Sequence, residues 1–567
     1  MKVSVRSSSG AHRFMPDEAG EKKTRLLRWR PLISTELLIF LVSLFFALFS
    51  NTLFWQSALV DQAQPWKTGA SLLMALLGAH CLLMGLIVWR WNAKLLIMVL
   101  LIVSALAADY MTRFHVYLDT SIIRSVLTTE PKESAELITP ALIMPLLLFA
   151  VLPMLLVWRV RLKQRTLGKG LLCRGGFLLF SLVLGVGGVL LSFQELSALM
   201  RNHKELRYLA TPGNYLVGLS RIAWAEQSTK AQARILVGTD ARLAERPAGS
   251  KPRLLVIVAG EAARAQNWGL NGYERQTTPG LAARQDIINF PDMHSCGTNT
   301  EVSLPCMFSP FGRREGYDER KIREHTALLH VLAQAGISSL WRDNQTGCKG
   351  VCEGLPTQRL DSADDPRWCR DGRCYDEILL QNLEAEVRAV PGDRVIVLHQ
   401  LGNHGPSYHD RYPETMRRFT PTCDQSDLGK CSREEIVNAY DNALLYTDHL
   451  LSRTIDILSN MTDYETAMIY ASDHGESLGE KGLYLHGIPY AIAPKEQTSI
   501  PMVMWFSPSF ASSRGLDLSC VRERAAAYTD HDNLFASVLG LLQVQTSVYD
   551  RELDLFANCA PAVQASP

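Results

Sequence analysis

Charge is what the first third of this 567-residue chain has least of. Five runs, 37–54, 70–89, 95–111, 140–158 and 176–193, are almost free of Asp, Glu, Lys and Arg. Each is about 17 to 20 residues long, enough to cross a hydrocarbon core as a helix. Five in series argue against buried helices of an ordinary soluble domain. The remainder has no basic stripe and no low-complexity tract, so no nucleic-acid partner is expected, and a net charge of +1 names no partner by itself. Cysteine is nearly missing before residue 296, where only Cys81 and Cys173 occur, in or beside the apolar runs.

What charge there is sets an orientation. Lys22, Lys23, Arg25, Arg28 and Arg30 precede the first run, Arg90 and Lys94 follow the second, and Arg159, Arg161, Lys163, Arg165 and Lys169 follow the fourth. Bases stay on the cytoplasmic side of short loops, so an odd number of spans places everything after residue 193 outside. The first run begins too far along, with too long an apolar core, for a typical cleaved signal peptide, and reads as a retained anchor. The ten other cysteines all fall in the outer portion and come in neighbouring pairs: Cys296 and Cys306, Cys348 and Cys352, Cys369 and Cys374, Cys423 and Cys431, Cys520 and Cys559. An even count in an oxidising compartment favours five local disulfides. Zinc ligation by Cys348-x-x-x-Cys352 is the rival, without a second pair at finger-like spacing.

Residues 1–35 thus read as a cytoplasmic basic tail, 36–194 as a five-span membrane domain, 195–250 as bridging helices, and 251–567 as a domain outside the bilayer. In that domain, apolar runs at 254–258, 337–341, 395–398, 467–470 and 501–505 predict buried strands. Helical spacing at 324–335, 375–390 and 433–460 alternates with them, which argues for an α/β sheet with helices on both faces.

Such sheets build sites beyond the carboxyl ends of their strands. There the sequence places Gly260-Glu261, Asp343-Asn344 with Lys349 beyond, His399 with Asn403-His404-Gly405, and Asp473-His474-Gly475-Glu476. A helix cap competes as the role of Glu261. Read together, Glu261, Asp473 and His474 suit a zinc site with one open position, and His486 follows on a Gly-rich loop. The loop from Ser295 to Cys306 is dense in hydroxyls, and Thr298, Thr300 and Ser303 are all candidate nucleophiles on chemistry alone.

The pattern resembles the lipid A phosphoethanolamine transferases, the membrane-bound family that includes the mobile colistin-resistance enzymes, within the alkaline phosphatase and sulfatase superfamily. The resemblance is carried by Gly260-Glu261-x-x-Arg264, Asn271-Gly272-Tyr273-x-Arg275-x-Thr277-Thr278-Pro279, Ser295-Cys296-Gly297-Thr298-x-Thr300, Pro305-Cys306-Met307-Phe308, Gly402-Asn403-His404-Gly405-Pro406, Ser472-Asp473-His474-Gly475-Glu476-Ser477 and Tyr484-Leu485-His486-Gly487. It implies a five-helix membrane domain followed by an α/β/α sandwich in the periplasm, anchored in a bacterial inner membrane and acting as a monomer. Thr300 would be the nucleophile, with Glu261, Asp473 and His474 joining it around one firmly bound zinc. His404 and His486 would hold the phosphoryl group or a second zinc, and Lys349 would contact phosphate.

By the same resemblance, phosphatidylethanolamine is the donor and a lipid A phosphate the acceptor, in a ping-pong reaction that lowers the binding of polymyxin and other cationic peptides. Glu133 aligns with an acidic residue near the donor site, on an outward amphipathic connection at 112–137. Ser125 departs from the Asn often found there, and Gln345 sits at a variable position with no role assigned. The rivals are transfer to a core sugar or surface protein and hydrolysis by a relative of the same superfamily. A sulfatase would need Cys/Ser-x-Pro-x-Arg, which the Thr300 segment lacks.

Overall fold

The computed structural model of the chain describes residues 30–561 except 61, 63, 130, 230–233, 362, 364 and 371, and leaves out the side chains of 132, 133 and 226–229. Most of the basic tail, residues 1–29, lies outside that range. Two compact units emerge, one of 144–202 with the chain up to 106, the other of 107–143 with the chain from 203 onward. These units divide the chain differently from the sequence boundaries. Hydropathy joined 107–143 to the spans that flank it, whereas its packing lies with the later part of the chain.

In the first unit, α1 (Thr35–Phe49) and α2 (Thr52–Leu59) form a pair bent by 59°. The sequence predicts a span at 37–54, and the structure bends that run at Ser50-Asn51. Trp55 Nε1 donates to the Ala47 carbonyl at 2.7 Å, so a side chain meets a carbonyl at the break, and Asn51 Nδ2 adds a bond at 2.8 Å to the Phe46 carbonyl, which also accepts the Ser50 N–H at 3.1 Å. The other spans are α3 (Pro65–Ile87), α4 (Ala93–Phe114), which leads into the second unit, then α7 (Pro140–Arg159) and α8 (Leu167–Leu191). Between α4 and α7 lie α5 (Thr120–Thr128) and α6 (Pro131–Glu136). Helices α3 and α8 meet through small residues: a Cβ on Gly78 would lie 2.4 Å from Gly185 N, and one on Gly188 would lie 2.6 Å from Ala75 N. Close backbone approach of this kind is how helices associate where lipid removes the hydrophobic drive.

The second unit is built on an eight-stranded sheet. In chain order its strands are β1 (Arg253–Gly260), β2 (Ile287–His294), β3 (Ser338–Asp343), β4 (Thr357–Arg359), β5 (Arg394–His399), β6 (Glu465–Ser472), β7 (Ser499–Phe506) and β8 (Thr529–Asp530). Their spatial order is β8-β2-β7-β6-β1-β5-β3-β4, and only β7 runs against its neighbours. Every residue of β1, β5 and β6 is buried, as expected for central parallel strands covered on both faces. All five runs read as strands are strands, while β2, β4 and β8 carry patterns too mixed or short to stand out.

The helix at 433–460 is α10 (Arg433–Asn460), opened by a Ser432–Glu435 capping box; α9 (Thr300–Met307) precedes it. The helix expected at 324–335 is instead two, Glu319–Glu324 and Leu328–Gln334, and that at 375–390 starts as a 3-10 turn, Asp376–Leu380, before Leu383–Arg388. All five cysteine pairs in this unit are disulfide-bonded, which removes Cys348 and Cys352 as zinc ligands.

Candidate metal centre and nucleophile

Parallel strands β1 and β6 are in register with Gly260 opposite Ser472, so Glu261 and Asp473 leave the same edge of the sheet side by side. No helix follows Glu261 directly, so it caps none. The next residue, Ala262, turns the chain with φ +54°, an uncommon conformation for a residue with a Cβ. Its N–H donates to Asp473 Oδ1 at 3.2 Å and its carbonyl accepts the Tyr440 hydroxyl at 2.7 Å, which hold the turn in place. Gly402 must be glycine here, because a Cβ would lie 2.7 Å from the Glu261 carbonyl oxygen.

One ligand atom each from Glu261, Asp473 and His474 lie within 4.8 Å of one another, and all three residues are buried. His474 Nε2 is 3.2 Å from Glu261 Oε1 and 3.5 Å from Asp473 Oδ2. Those two carboxylate oxygens accept no hydrogen bond. His474 Nδ1 sits 2.9 Å from the Gly475 carbonyl, which fixes the tautomer and leaves Nε2 facing the carboxylates. Burial disfavours an imidazolium, but Asp473 and Glu261 outweigh it and raise the His474 pKa from 6.5 to about 10. Burial and then the Glu261 charge push Asp473 from 3.8 to about 6. Burial also opposes ionisation of Glu261, yet the adjacent His474 ring and the other surrounding imidazoles hold it well below the usual carboxylate range. A site that draws a proton onto Nε2 this strongly is one that a cation fits, and two carboxylates with one imidazole are ligand types that zinc takes.

Thr300 stands at this cluster. Its hydroxyl donates to Glu261 Oε2 at 3.0 Å and lies 3.4 Å from His474 Nε2. It is the first residue of α9, behind the cap Asn299, whose side chain accepts the Val302 N–H at 3.1 Å. Thr298 instead donates to the Ile488 carbonyl at 2.7 Å, and the buried Ser303 hydroxyl is on the same helix without a bond to the cluster. The Cys296–Cys306 disulfide closes the segment.

The remaining predicted residues lie around this cluster or are tied to it through other side chains. His486 lies with its ring 4.3 Å from that of His474 and 5.6 Å from that of His404. Its Nδ1 is held by Glu476 Oε2 at 2.8 Å, and Tyr408 donates to the other Glu476 oxygen at 2.6 Å. His474, Glu476 and His486 thereby make a second group whose ligand atoms converge within 4.8 Å. Lys349, at φ +49° inside the Cys348–Cys352 loop, places Nζ 3.1 Å from Glu301 Oε1. Glu133 lies on α6, and its side chain is outside those described.

Three residues without a predicted role complete the site. Gln345 Nε2 donates to Glu261 Oε2 at 3.0 Å. Glu301 is buried between Lys349, the Thr128 hydroxyl at 2.9 Å and Arg323 Nη2 at 3.1 Å. Arg323 Nη2 also donates to the Glu301 carbonyl at 2.9 Å, the acceptor left open because Pro305, four residues on, has no N–H. Glu136 accepts from Arg411 at 3.0 Å, while Arg411 Nε donates to the His404 carbonyl at 2.7 Å. Proximity to motif residues was the only signal for Glu301; Glu136 gave none.

Comparison with known proteins finds relatives along most of the chain. Residues 76–226 match the family model described as phosphoethanolamine transferase EptA/EptB, and 253–544 match that of the sulfatases. The chain is 38% identical to the phosphoethanolamine transferase EptA of Escherichia coli (strain K12) over 476 residues, covering 83% of this chain and 86% of that one. It is 37% identical to the phosphatidylethanolamine transferase Mcr-1 of Escherichia coli over 492 residues, covering 84% and 90%. The structure of the integral membrane protein lipooligosaccharide phosphoethanolamine transferase A of Neisseria meningitidis superposes with a TM-score of 0.88 at 38% identity, covering 94% of this chain and 99% of that one.

Proposed function

We propose, for a chain that belongs to the EptA/EptB phosphoethanolamine transferase family and carries a sulfatase-type domain, that it moves phosphoethanolamine from phosphatidylethanolamine to a lipid A phosphate through an adduct on Thr300. The observation that carries this reading is the Thr300 hydroxyl, 3.0 Å from Glu261 Oε2 on the rim of the cation-binding group. With its proton directed at Glu261, Thr300 Oγ1 turns a lone pair toward an incoming phosphorus. The oxygen–phosphorus bond forms as diacylglycerol leaves with its oxygen, and attack by the acceptor phosphate then frees Thr300. Glu261, Asp473 and His474 would hold a zinc ion, which would supply Lewis-acid charge beside the Thr300 hydroxyl.

The other residues stabilise charge on the phosphoryl oxygens. Thr300 opens α9, so the positive end of the helix faces the group being transferred. Lys349, His404 and His486 add donors, and Glu476 fixes the His486 ring. The donor and acceptor classes follow the names of two relatives, a phosphatidylethanolamine transferase and a lipooligosaccharide transferase. Bases flanking the spans and five disulfides support a cytoplasmic N-terminus and a periplasmic catalytic domain at 251–567. An ethanolamine ammonium added to lipid A offsets phosphate charge, so cationic peptides such as polymyxin bind it less.

Purified protein given head-group-labelled phosphatidylethanolamine is expected to carry the label on Thr300. Chelation or Thr300→Ala should abolish it, and lipid A should then collect the label from wild type. Label on another residue sinks the Thr300 assignment; free phosphoethanolamine with unlabelled lipid A would make the protein a hydrolase.

A further inference from the structure

The first unit contains a basic cavity that shares no residue with the candidate metal centre. It has a volume of about 170 Å³, and Glu36, Arg90, Lys163, Arg165 and Arg174 contribute to its walls. An apolar cavity of about 150 Å³ takes a benzene, so this one has room for a phosphate group. Four bases against one acid leave an excess of three positive charges. Glu36 is engaged with Arg165 at 2.8 Å and lies 3.8 Å from Arg174, which leaves Arg90 and Lys163 without an acidic partner among the described residues.

Two further features point into the same space. Arg174 is 5% exposed, stacks over the Trp89 ring at 5.1 Å and donates Nη1 to the Gly85 carbonyl at 3.1 Å, while its buried Nε has no acceptor. The wall also includes Thr166, Leu167 and Gly170, the first turn of α8, and the Thr166 side chain makes no cap bond to that turn. A 25-residue helix therefore presents an uncapped N-terminus, where amides and dipole favour an anion. Pairing of 32–33 with 161–162 holds the Lys163–Arg165 segment against the start of α1. Leu167 and Leu171, also in the wall, are 83% and 54% exposed on a membrane helix, where acyl chains would run.

We infer that this cavity binds the phosphate of an anionic phospholipid, with the diester in the basic pocket and its chains along the exposed leucines. The site lies at the end of the spans where their flanking bases collect, and none of its residues belongs to the candidate metal centre. A zwitterionic lipid carries the same phosphate but brings a cation into a pocket already three charges positive, so the anionic lipid is selected.

Native mass spectrometry of the full-length protein in detergent, offered phosphatidylglycerol or phosphatidylcholine, tests this. Selective retention of phosphatidylglycerol is expected. Two bases near an anionic lipid surface are worth on the order of tenfold or more in binding, so R90A/K163A should lose retention by about that factor. Gly170→Phe adds a ring at the cavity wall without altering a charge; a Cβ there meets nothing within 4 Å, so the helix accepts it. It should abolish retention while the Thr300 adduct still forms, which shows a folded protein. Inorganic phosphate that displaces the lipid supports the shared phosphate chemistry, and lipid that resists it supports an added contribution from the chains. Equal retention of both lipids, undiminished retention by both variants, or binding of inorganic phosphate without any selected lipid overturns the proposal.

Discussion

Gln345 and Thr300 donate to the same oxygen of Glu261, each at 3.0 Å. The amide thereby holds a buried carboxylate whose other oxygen has no donor, and it sets the plane in which that oxygen would meet a cation. Losing such a support costs about 10- to 100-fold in metal affinity. Gln345→Ala should therefore weaken metal binding by that factor in a chelator competition, with Thr300 still able to react at saturating metal. An unchanged affinity would leave the amide without this role. Glu301 acts one step further out, through Lys349 at 3.1 Å. Burial opposes its ionisation, yet Lys349 and Arg323 keep its pKa lowered, so it stays charged at neutral pH. Glu301→Gln keeps the shape and removes the ion pairs, and kcat should fall about tenfold with KM nearly unchanged if Lys349 acts on the transition state. The pair Asp473-His474 was legible because an apolar strand stops on it. Gln345 was not, since an amide in a loop has many uses and only the fold brings it to Glu261.

Helix α5 is amphipathic in sequence, and its polar face does more than meet solvent. Ser121 accepts from the Asn299 amide at 3.2 Å and Thr128 donates to Glu301 at 2.9 Å, so the residues on either side of Thr300 are both tied to α5. Ile122 packs where a Cβ on Gly487 would lie, 2.3 Å from its Cδ1, beside His486. The double change S121A/T128V removes about 0.5–1.5 kcal/mol per bond and should slow adduct formation by about tenfold while metal affinity holds. Equal loss of both would mean that α5 supports the whole domain. A second tie is His531, whose Nδ1 accepts the Cys296 N–H at 3.0 Å while Nε2 meets the Ser472 carbonyl at 2.9 Å, joining the Thr300 loop to β6. Burial lowers its pKa from 6.5 to about 4. Between those values the unfolded chain binds the extra proton, so the contribution of His531 to stability is full above about pH 6.5 and is lost as pH falls toward 4. Replacing His531 with Gln should flatten the stability–pH slope in that window relative to wild type.

At the scale of the molecule, the spans, the α/β class and the cysteine pairs were legible because each rests on a pattern along the chain: charge-free runs, buried strands and cysteines consecutive in chain order. The grouping of 107–143 with the later chain was not, because it depends on contacts between residues more than 150 positions apart, such as Thr128 with Glu301 and Glu136 with Arg411. That grouping separates two properties of the site. Glu261, Asp473 and His474 follow directly on β1 and β6, whose residues are all buried. Thr300, His486 and His404 are each steadied from 107–143: through Asn299 and Glu301, through Ile122, and through Glu136 by way of Arg411 on the His404 carbonyl. A fragment beginning at residue 234 should therefore fold, form its disulfides and bind metal within about threefold of the full chain. Its Thr300 should nonetheless react at least about a hundredfold more slowly, since a displacement of about 1 Å costs that much. A short-chain, water-soluble donor separates this from loss of the membrane, because such a donor reaches either protein equally. Glu136→Gln in the full chain should reproduce part of the loss with all spans intact. A fragment as fast as the full chain on that donor would assign 107–143 to lipid capture alone.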